Sequence, residues 1–313
     1  MNTAIFARIG GTTYSLLGVP SPPSNVNAAT VLSAEYTATN TIFILTAGSA
    51  NIRLDFLSPV SPNNYLRQSL PYSYLTISVS SPTSVSASVY LDVDETWTGQ
   101  SGNTRHHLYD TNATTIWQIT VAGAATYAQN PQEQALWGGV ILASNPSSTS
   151  TLTSSSGRVN DIRNQFFTNG RLSGSNPPWQ TGDVAALAHD LGSVSTASSV
   201  TFALGYERQQ AINYLGNART GYYRGTAAAR VCGVCYFLDD YAAANAESQT
   251  FDTQLENRAS ALAGTNYSDI LALSARQAYG ATDLTIPADN LDTTNVMAFM
   301  KEISSDGNVN TSK

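Results

Sequence analysis

The stretch SVSASVYLDV, Ser84 to Val93, is the strongest constraint on what this chain can fold into. Val85, Ala87, Val89, Leu91 and Val93 fall on one side, and Ser86, Ser88, Tyr90 and Asp92 on the other. A period of two held this long commits the backbone to an extended strand, because successive side chains point to opposite faces. It predicts a half-buried strand. The neighbouring sequence agrees. ARIGGTTYSLLG sets Gly10-Gly11 between two short apolar runs, a hairpin signal. VLSAEYTAT, TIFILTA and NIRLDFLSP follow at roughly ten-residue spacing with polar turns between them. SYLTISVSS and TIWQITVAG alternate in the same way. No helical pattern interrupts these strands before Val121, so the sheets are expected to be mostly antiparallel, and the architecture a β-sandwich.

The middle of the chain is plainer. ALWGGVILAS, Ala135 to Ser144, reads as another strand. NPSSTSTLTSSSGRVNDIRNQF is rich in Ser and Thr and reads as a surface loop. FFTNGRLSGSNPPWQTGDVAALAHDLG continues as turn-rich connection, and VTFALGYE returns to strand. NYLGNARTGYYR carries a tight turn at Gly216-Asn217. From RVCGVCYFLDDYAAANAESQTF onward the period changes from two to 3.6. That switch predicts a boundary near residue 225, with a β domain over residues 1–225 and a helical one over 226–313.

In the helical part, Tyr241, Ala244, Phe251, Leu255, Ala259 and Leu262 recur at three- and four-residue steps, one face of a helix. Asn266 to Asp269 resembles a capping box opening a second helix that carries Ile270, Leu271, Leu273, Ala275 and Ala278. A short strand is expected near Asp283 to Ile286. A third helix is expected from Thr293 or Thr294 to Gly307, with Val296, Phe299, Met300 and Ile303 inward and Lys301 and Glu302 at its end.

LSARQAYGATDLT and MAFMKEISSDGNVNT resemble the fungal secreted glutaminase A family. FLSPVSPNNYLRQSLPYSYL, from Phe56, and ALGYERQQAINYLGNARTGYYR, from Ala203, resemble the same family in the same order. The resemblance implies a β-rich domain followed by the first helices of a six-hairpin (α/α) toroid, and hydrolysis of the side-chain amide of L-glutamine. A toroid of twelve helices takes on the order of 200 residues at ordinary helix and loop lengths. Only 77 residues (313 − 236) follow Tyr236, so the chain is expected to hold part of the ring and to be shortened at both ends relative to its family. It implies an extracellular location, although the start MNTAIFARIGG lacks the features of a signal peptide.

Composition narrows the alternatives. A net charge of −7 argues against nucleic acid, whose phosphates need basic patches. No window reaches the roughly 18–20 apolar residues of a membrane span. Sequons at Asn112, Asn266 and Asn310 are compatible with a secretory route. Cys232 and Cys235, the only cysteines, form a CxxC that could be a redox pair, half a zinc site or two apolar fillers. With no other cysteine and no βαβ unit around them, filler is the expectation, and no metal or cofactor is expected.

Amide hydrolysis needs an activated nucleophile or water, a proton donor for ammonia and an oxyanion stabiliser. No GxSxG, HExxH or P-loop is present. Glu302 and Asp306 lie four apart, which on a helix puts two carboxylates on one face and can separate acid from base. They are the expected catalytic pair, with Arg276 and Lys301 as candidates to hold the substrate carboxylate. A solvated helix end for Lys301–Glu302, and an Arg276 that braces the domain interface, are the competing readings. Arg67 and Gln68 read as structural, organising a long crossover. Asp92, Asp94 and Glu95 read as a strand face rather than a calcium loop. His106 and His107 are expected in a solvated turn, and His189 beside Asp190 or at a strand end. Two other classes stay open: a glycoside hydrolase of similar architecture, which paired carboxylates would suit, and a non-catalytic β-sandwich binding module.

Overall fold

Two antiparallel sheets pack face to face in the computed structural model, which describes residues 2–18, 25–111, 113–131 and 134–300. One sheet runs Thr151–Arg158, Asp183–Val194, Val85–Asp94, Thr3–Ile9, Thr12–Leu17, Asn27–Ala28, the last pairing parallel. The other runs Thr30–Tyr36, Asn40–Ala47, Ala50–Leu57, Tyr72–Ser80, Ser198–Glu207, Gly139–Ser144, Thr115–Val121, Thr104–Asp110. Gly10 (φ 57°) and Gly11 (φ 88°) close the first hairpin. Two consecutive positive φ values are what a two-residue type I′ turn requires.

The inner faces share one core. Ile5, Val89 and Leu91 from the first sheet join Leu54, Ile77, Trp117 and Phe202 from the second. The indole N–H of Trp117 donates to the Ala186 carbonyl at 3.1 Å, so its one polar atom is satisfied inside that core.

The strand Val85–Asp94 is not half-buried: from Ala87 onward every residue is buried, on both faces. Its second face is covered by the helix Val159–Asn169, whose Ile162, Phe166 and Phe167 pack with Phe6 and Tyr90. That helix, with the strand Thr151–Arg158, lies in the segment expected to be a loop. Small hydroxyls make the strand possible: Ser155 is fully buried, and its Oγ accepts the N–H groups of Gly174 and Ser175, both at 3.1 Å. The expected connection before VTFALGYE likewise contains a twelve-residue strand, Asp183–Val194, paired on both sides.

His189 therefore sits inside a strand, fully buried, and not at a strand end or against Asp190. Its Nε2 lies 2.8 Å from Ser144 Oγ and its Nδ1 2.9 Å from Ser150 Oγ. Burial lowers its pKa to about 4. The unfolded chain then takes up a proton first as pH falls below the ordinary value near 6.5. Stability present above that value is lost as pH falls toward the folded value, by about 3 kcal/mol in all. Urea unfolding at pH 7 and at pH 4.5 is expected to show a drop in the wild type that is about 2 kcal/mol larger than in His189→Gln. Equal drops would remove His189 from the pH response.

The helical part starts with Ala227–Val231 and Gly233–Asp239 and continues as the hairpin Tyr241–Ala263 and Thr265–Gly280. The N-cap of the last helix is Gly264, so Asn266 lies inside its first turn and caps nothing. Of the expected apolar face, Ala244 and Ala259 are buried, whereas Leu262 is 77% exposed. The short strand forms as Thr282–Pro287. The described part of the expected third helix does not: Met297–Met300 is a strand hydrogen-bonded to Thr282–Pro287, so Phe299 and Met300 belong to a small four-stranded sheet, and the rest of that helix lies outside the described residues. Cross-strand partners override the short helical period. That sheet also holds the hairpin Ile212–Tyr214 with Asn217–Gly221, whose turn residues are Leu215 (φ 49°) and Gly216 (φ 82°), one position earlier than expected.

Candidate functional site at the sheet–helix junction

Alternation along Tyr72–Ser80 builds the junction. Leu75, Ile77 and Val79 enter the sandwich core, so Tyr72, Tyr74 and Thr76 face outward, toward the helices. Tyr74 stacks on Phe237 at 3.7 Å between centroids and donates to its carbonyl at 2.5 Å. Thr76 bonds the Tyr241 hydroxyl at 2.8 Å. Arg67, in the short helix Tyr65–Ser69, donates to both oxygens of Asp240 at 2.6 and 2.9 Å and pairs with Glu247. The hydrogen bond to Asp240 raises its pKa further.

Beside this junction opens a cleft of about 590 Å³. Its charged lining is Glu207, Arg224 and Arg230; Gln118, Gln209 and Gln210 supply amides. Glu207 ends the strand Ser198–Glu207, Arg224 lies in the 3₁₀ turn Tyr222–Gly225, and Arg230 in the helix Ala227–Val231. Three separate elements of one stretch of chain thus present charge to one space. Tyr72 donates to Glu207 Oε2 at 2.9 Å and Tyr223 to Oε1 at 3.3 Å. Burial pushes both phenols upward, Tyr72 further helped by the Glu207 charge, so they stay protonated as donors. Arg224 Nη1 stands 3.7 Å from Glu207 Oε1. Arg230 is exposed and has no ion-pair partner among the described residues. Trp137 forms part of the wall; its indole N–H donates to Gln210 O at 2.7 Å and Arg208 lies 5.4 Å over its ring. Gly138 (φ 104°) lets the chain turn here, where an added Cβ would lie 2.6 Å from the Glu207 carbonyl oxygen. None of this cleft was singled out in the sequence; the only signal is the order of Glu207, Arg224 and Arg230 within one motif-bearing stretch and its continuation.

The other sequence candidates lie elsewhere. Lys301, Glu302, Asp306 and Asn310 fall outside the described residues, as does Asn112. Asn266 is exposed. Arg276 donates to the carbonyls of Thr37 and Asn40, each at 2.8 Å, and to Thr41 Oγ1 at 2.7 Å. Thr37 and Thr39 in turn donate to Asp252 at 2.6 Å, so the helical hairpin is fastened to one sheet corner. Asp92, Asp94 and Glu95 do not share a site: Asp92 meets Arg163, Asp94 caps Thr96, and Glu95 accepts from Thr104. His106 is in a strand, its ring stacked near Trp117 and Trp179, and not in a turn. Cys232 and Cys235 are joined as a disulfide, and so are not two free apolar fillers; the extended Cys232 and the helix that starts at Gly233 bring their Cα atoms to 5.3 Å. Among the described residues no three His, Cys, Asp or Glu side chains converge as metal ligands, and no helix is long and apolar enough to cross a membrane.

Residues 39–258 match the family model of a domain of unknown function, DUF5127, and residues 264–313 match the glutaminase A six helical-hairpin domain. The chain is 32% identical to a protein named glutaminase A from Aspergillus oryzae, over 97% of this chain and 45% of that protein. It is 26% identical to a protein of Arthroderma benhamiae described as a probable glutaminase, over 99% of this chain and 39% of that one. The chain thus spans less than half the length of these curated relatives. Among solved structures, the heparan sulfate lyase HepC from Pedobacter heparinus aligns with 61% of this chain and 24% of its own, at 10% identity and a TM-score of 0.31.

Proposed function

The chain belongs to the glutaminase A family, and from that premise we propose that the whole protein hydrolyses the side-chain amide of L-glutamine to L-glutamate and ammonia. The observation that carries this reading is the joint match of two consecutive family models, the second a glutaminase A domain, along one chain. The proposed division keeps residues 1–225 as the β domain and 226–313 as the opening of the helical ring; the last strand of the second sheet, ending at Glu207, and the run of helices that starts at Ala227 support it. Glu302 and Asp306 are proposed as the proton-transfer pair, with Lys301 and Arg276 toward the substrate carboxylate; Arg276 would do this only by releasing the corner it fastens. Secretion accompanies the reading. The Cys232–Cys235 disulfide suits an oxidising compartment, and the exposed Asn266 is open to glycosylation there.

These 313 residues alone are proposed to be inactive. Among the described residues, the long helices are the two of one hairpin, and part of their apolar surface, Leu262 and Ile270, stands in solvent. A ring pocket needs its groups held within about half an ångström. Losing one placed electrostatic donor costs ~10²–10³ in rate, and several would be missing. The test is ammonia release from L-glutamine by this chain and by the same residues carried in a chain of the relatives' full length. The long form is expected to be active and the short form at least ~10²-fold slower. No release by the long form would end the glutaminase reading. Equal rates would place the complete site within these residues.

A further inference from the structure

The cleft between the second sheet and the first short helices has charges that its protein partners leave partly unused. Glu207 accepts one phenolic proton at each oxygen, from Tyr72 and Tyr223, and a carboxylate has about four acceptor positions. Arg224 approaches it only to 3.7 Å, well beyond the ~2.7–2.9 Å of a charge-assisted hydrogen bond. The Arg230 guanidinium lines the same space with no ion pair among the described residues. Two guanidinium groups and one carboxylate leave the cleft with one excess positive charge on a chain whose net charge is −7.

We propose that this cleft binds a small acidic amino acid, with its two carboxylates on Arg224 and Arg230 and its ammonium on Glu207. Two anionic groups and one cationic group complement two cationic groups and one anionic group, which a neutral amino acid does not. Gln118, Gln209 and Gln210 provide further donors and acceptors around the ligand. A sugar fits the lining less well. Trp137 is the aromatic ring of the wall, but Arg208 covers it at 5.4 Å and its N–H is already bonded to Gln210. The two tyrosines hold the Glu207 carboxylate in place before the ligand arrives, so that group needs little ordering on binding.

Isothermal titration calorimetry on the 313-residue chain tests this with L-glutamate, L-glutamine and glutarate, the last having two carboxylates and no ammonium. None of these readouts depends on turnover, so the outcome is separate from that of the amidase assay. L-Glutamate is expected to bind at least tenfold more tightly than either of the others, and more weakly as salt is raised. Arg230→Ala is expected to weaken L-glutamate at least tenfold; Arg230 is exposed, so the variant is expected to fold, and its melting curve checks this. Glu207→Gln is expected to remove the advantage of L-glutamate over glutarate. The proposal is overturned if L-glutamate does not bind at millimolar concentration, if L-glutamine or glutarate binds equally well, or if a folded Arg230→Ala chain binds L-glutamate unchanged.

Discussion

Arg163→Ala is expected to lower the unfolding free energy by about 3–5 kcal/mol, the cost of leaving a buried charge without its partner. Asp92 is fully buried under the helix Val159–Asn169. It accepts from Arg163 Nε at 2.8 Å and Nη2 at 3.2 Å, from the Tyr90 hydroxyl at 2.8 Å and from the Ala4 N–H at 2.8 Å. Burial pushes the Asp92 carboxyl above its ordinary value, and Arg163, Tyr90 and Ala4 pull against that. Without the guanidinium, two donors remain for a carboxylate that water does not reach. The variant should therefore lose least at low pH, where Asp92 can take a proton instead. Urea unfolding at pH 7 and pH 5 checks both statements. The pair is not expected to add net stability over a well-packed apolar pair, so Asp92→Leu with Arg163→Met should restore much of the loss. A loss below about 1 kcal/mol in Arg163→Ala would mean that the site is wetter than its burial implies.

Arg67→Ala is expected to loosen the helices from the sandwich at a cost of about 3 kcal/mol, the low end for a buried pair because Asp240 is 15% and Glu247 34% exposed. One guanidinium joins the crossover before Tyr72 to the end of one helix and the start of the next. Arg67→Lys should recover little, since an ammonium cannot reproduce the two parallel bonds to Asp240. The measurement is favoured by the distribution of tryptophan. All four, Trp97, Trp117, Trp137 and Trp179, precede the helical part that starts at Ala227, so their fluorescence follows the sandwich while circular dichroism near 222 nm is dominated by the long helices of the helical part. In the wild type the two denaturation curves should coincide, and in Arg67→Ala the helical signal should be lost first. Coincident curves in the variant would show that the aromatic stack of Tyr74 on Phe237 holds the junction by itself.

The strands with strict alternation, and the hairpin helices Tyr241–Ala263 and Thr265–Gly280, were legible because an apolar face writes its period into the chain, although in Val85–Asp94 the second face proved to be buried as well. The family was legible in ordered motifs that the matching models span. Segments that obey no local period were not legible. The strand Thr151–Arg158 is built from Ser and Thr, and its buried hydroxyls are satisfied by a loop about twenty residues later. The strand Met297–Met300 carries a short helical pattern that its hydrogen-bonded neighbour overrules. Arg67 and Arg276 were readable as bracing groups, but their partners, Asp240 and the Thr37–Thr41 turn, lie 173 and up to 239 residues away. The candidate cleft was hidden for a different reason. Glu207, Arg224 and Arg230 are ordinary residues in the sequence, and only the docking of a strand end, a 3₁₀ turn and a short helix makes them face one space. Sequence by itself determined the periods, the turns and the family, since each is encoded within a few residues. Tertiary structure decided which charges meet, because that depends on contacts between segments that local sequence cannot express.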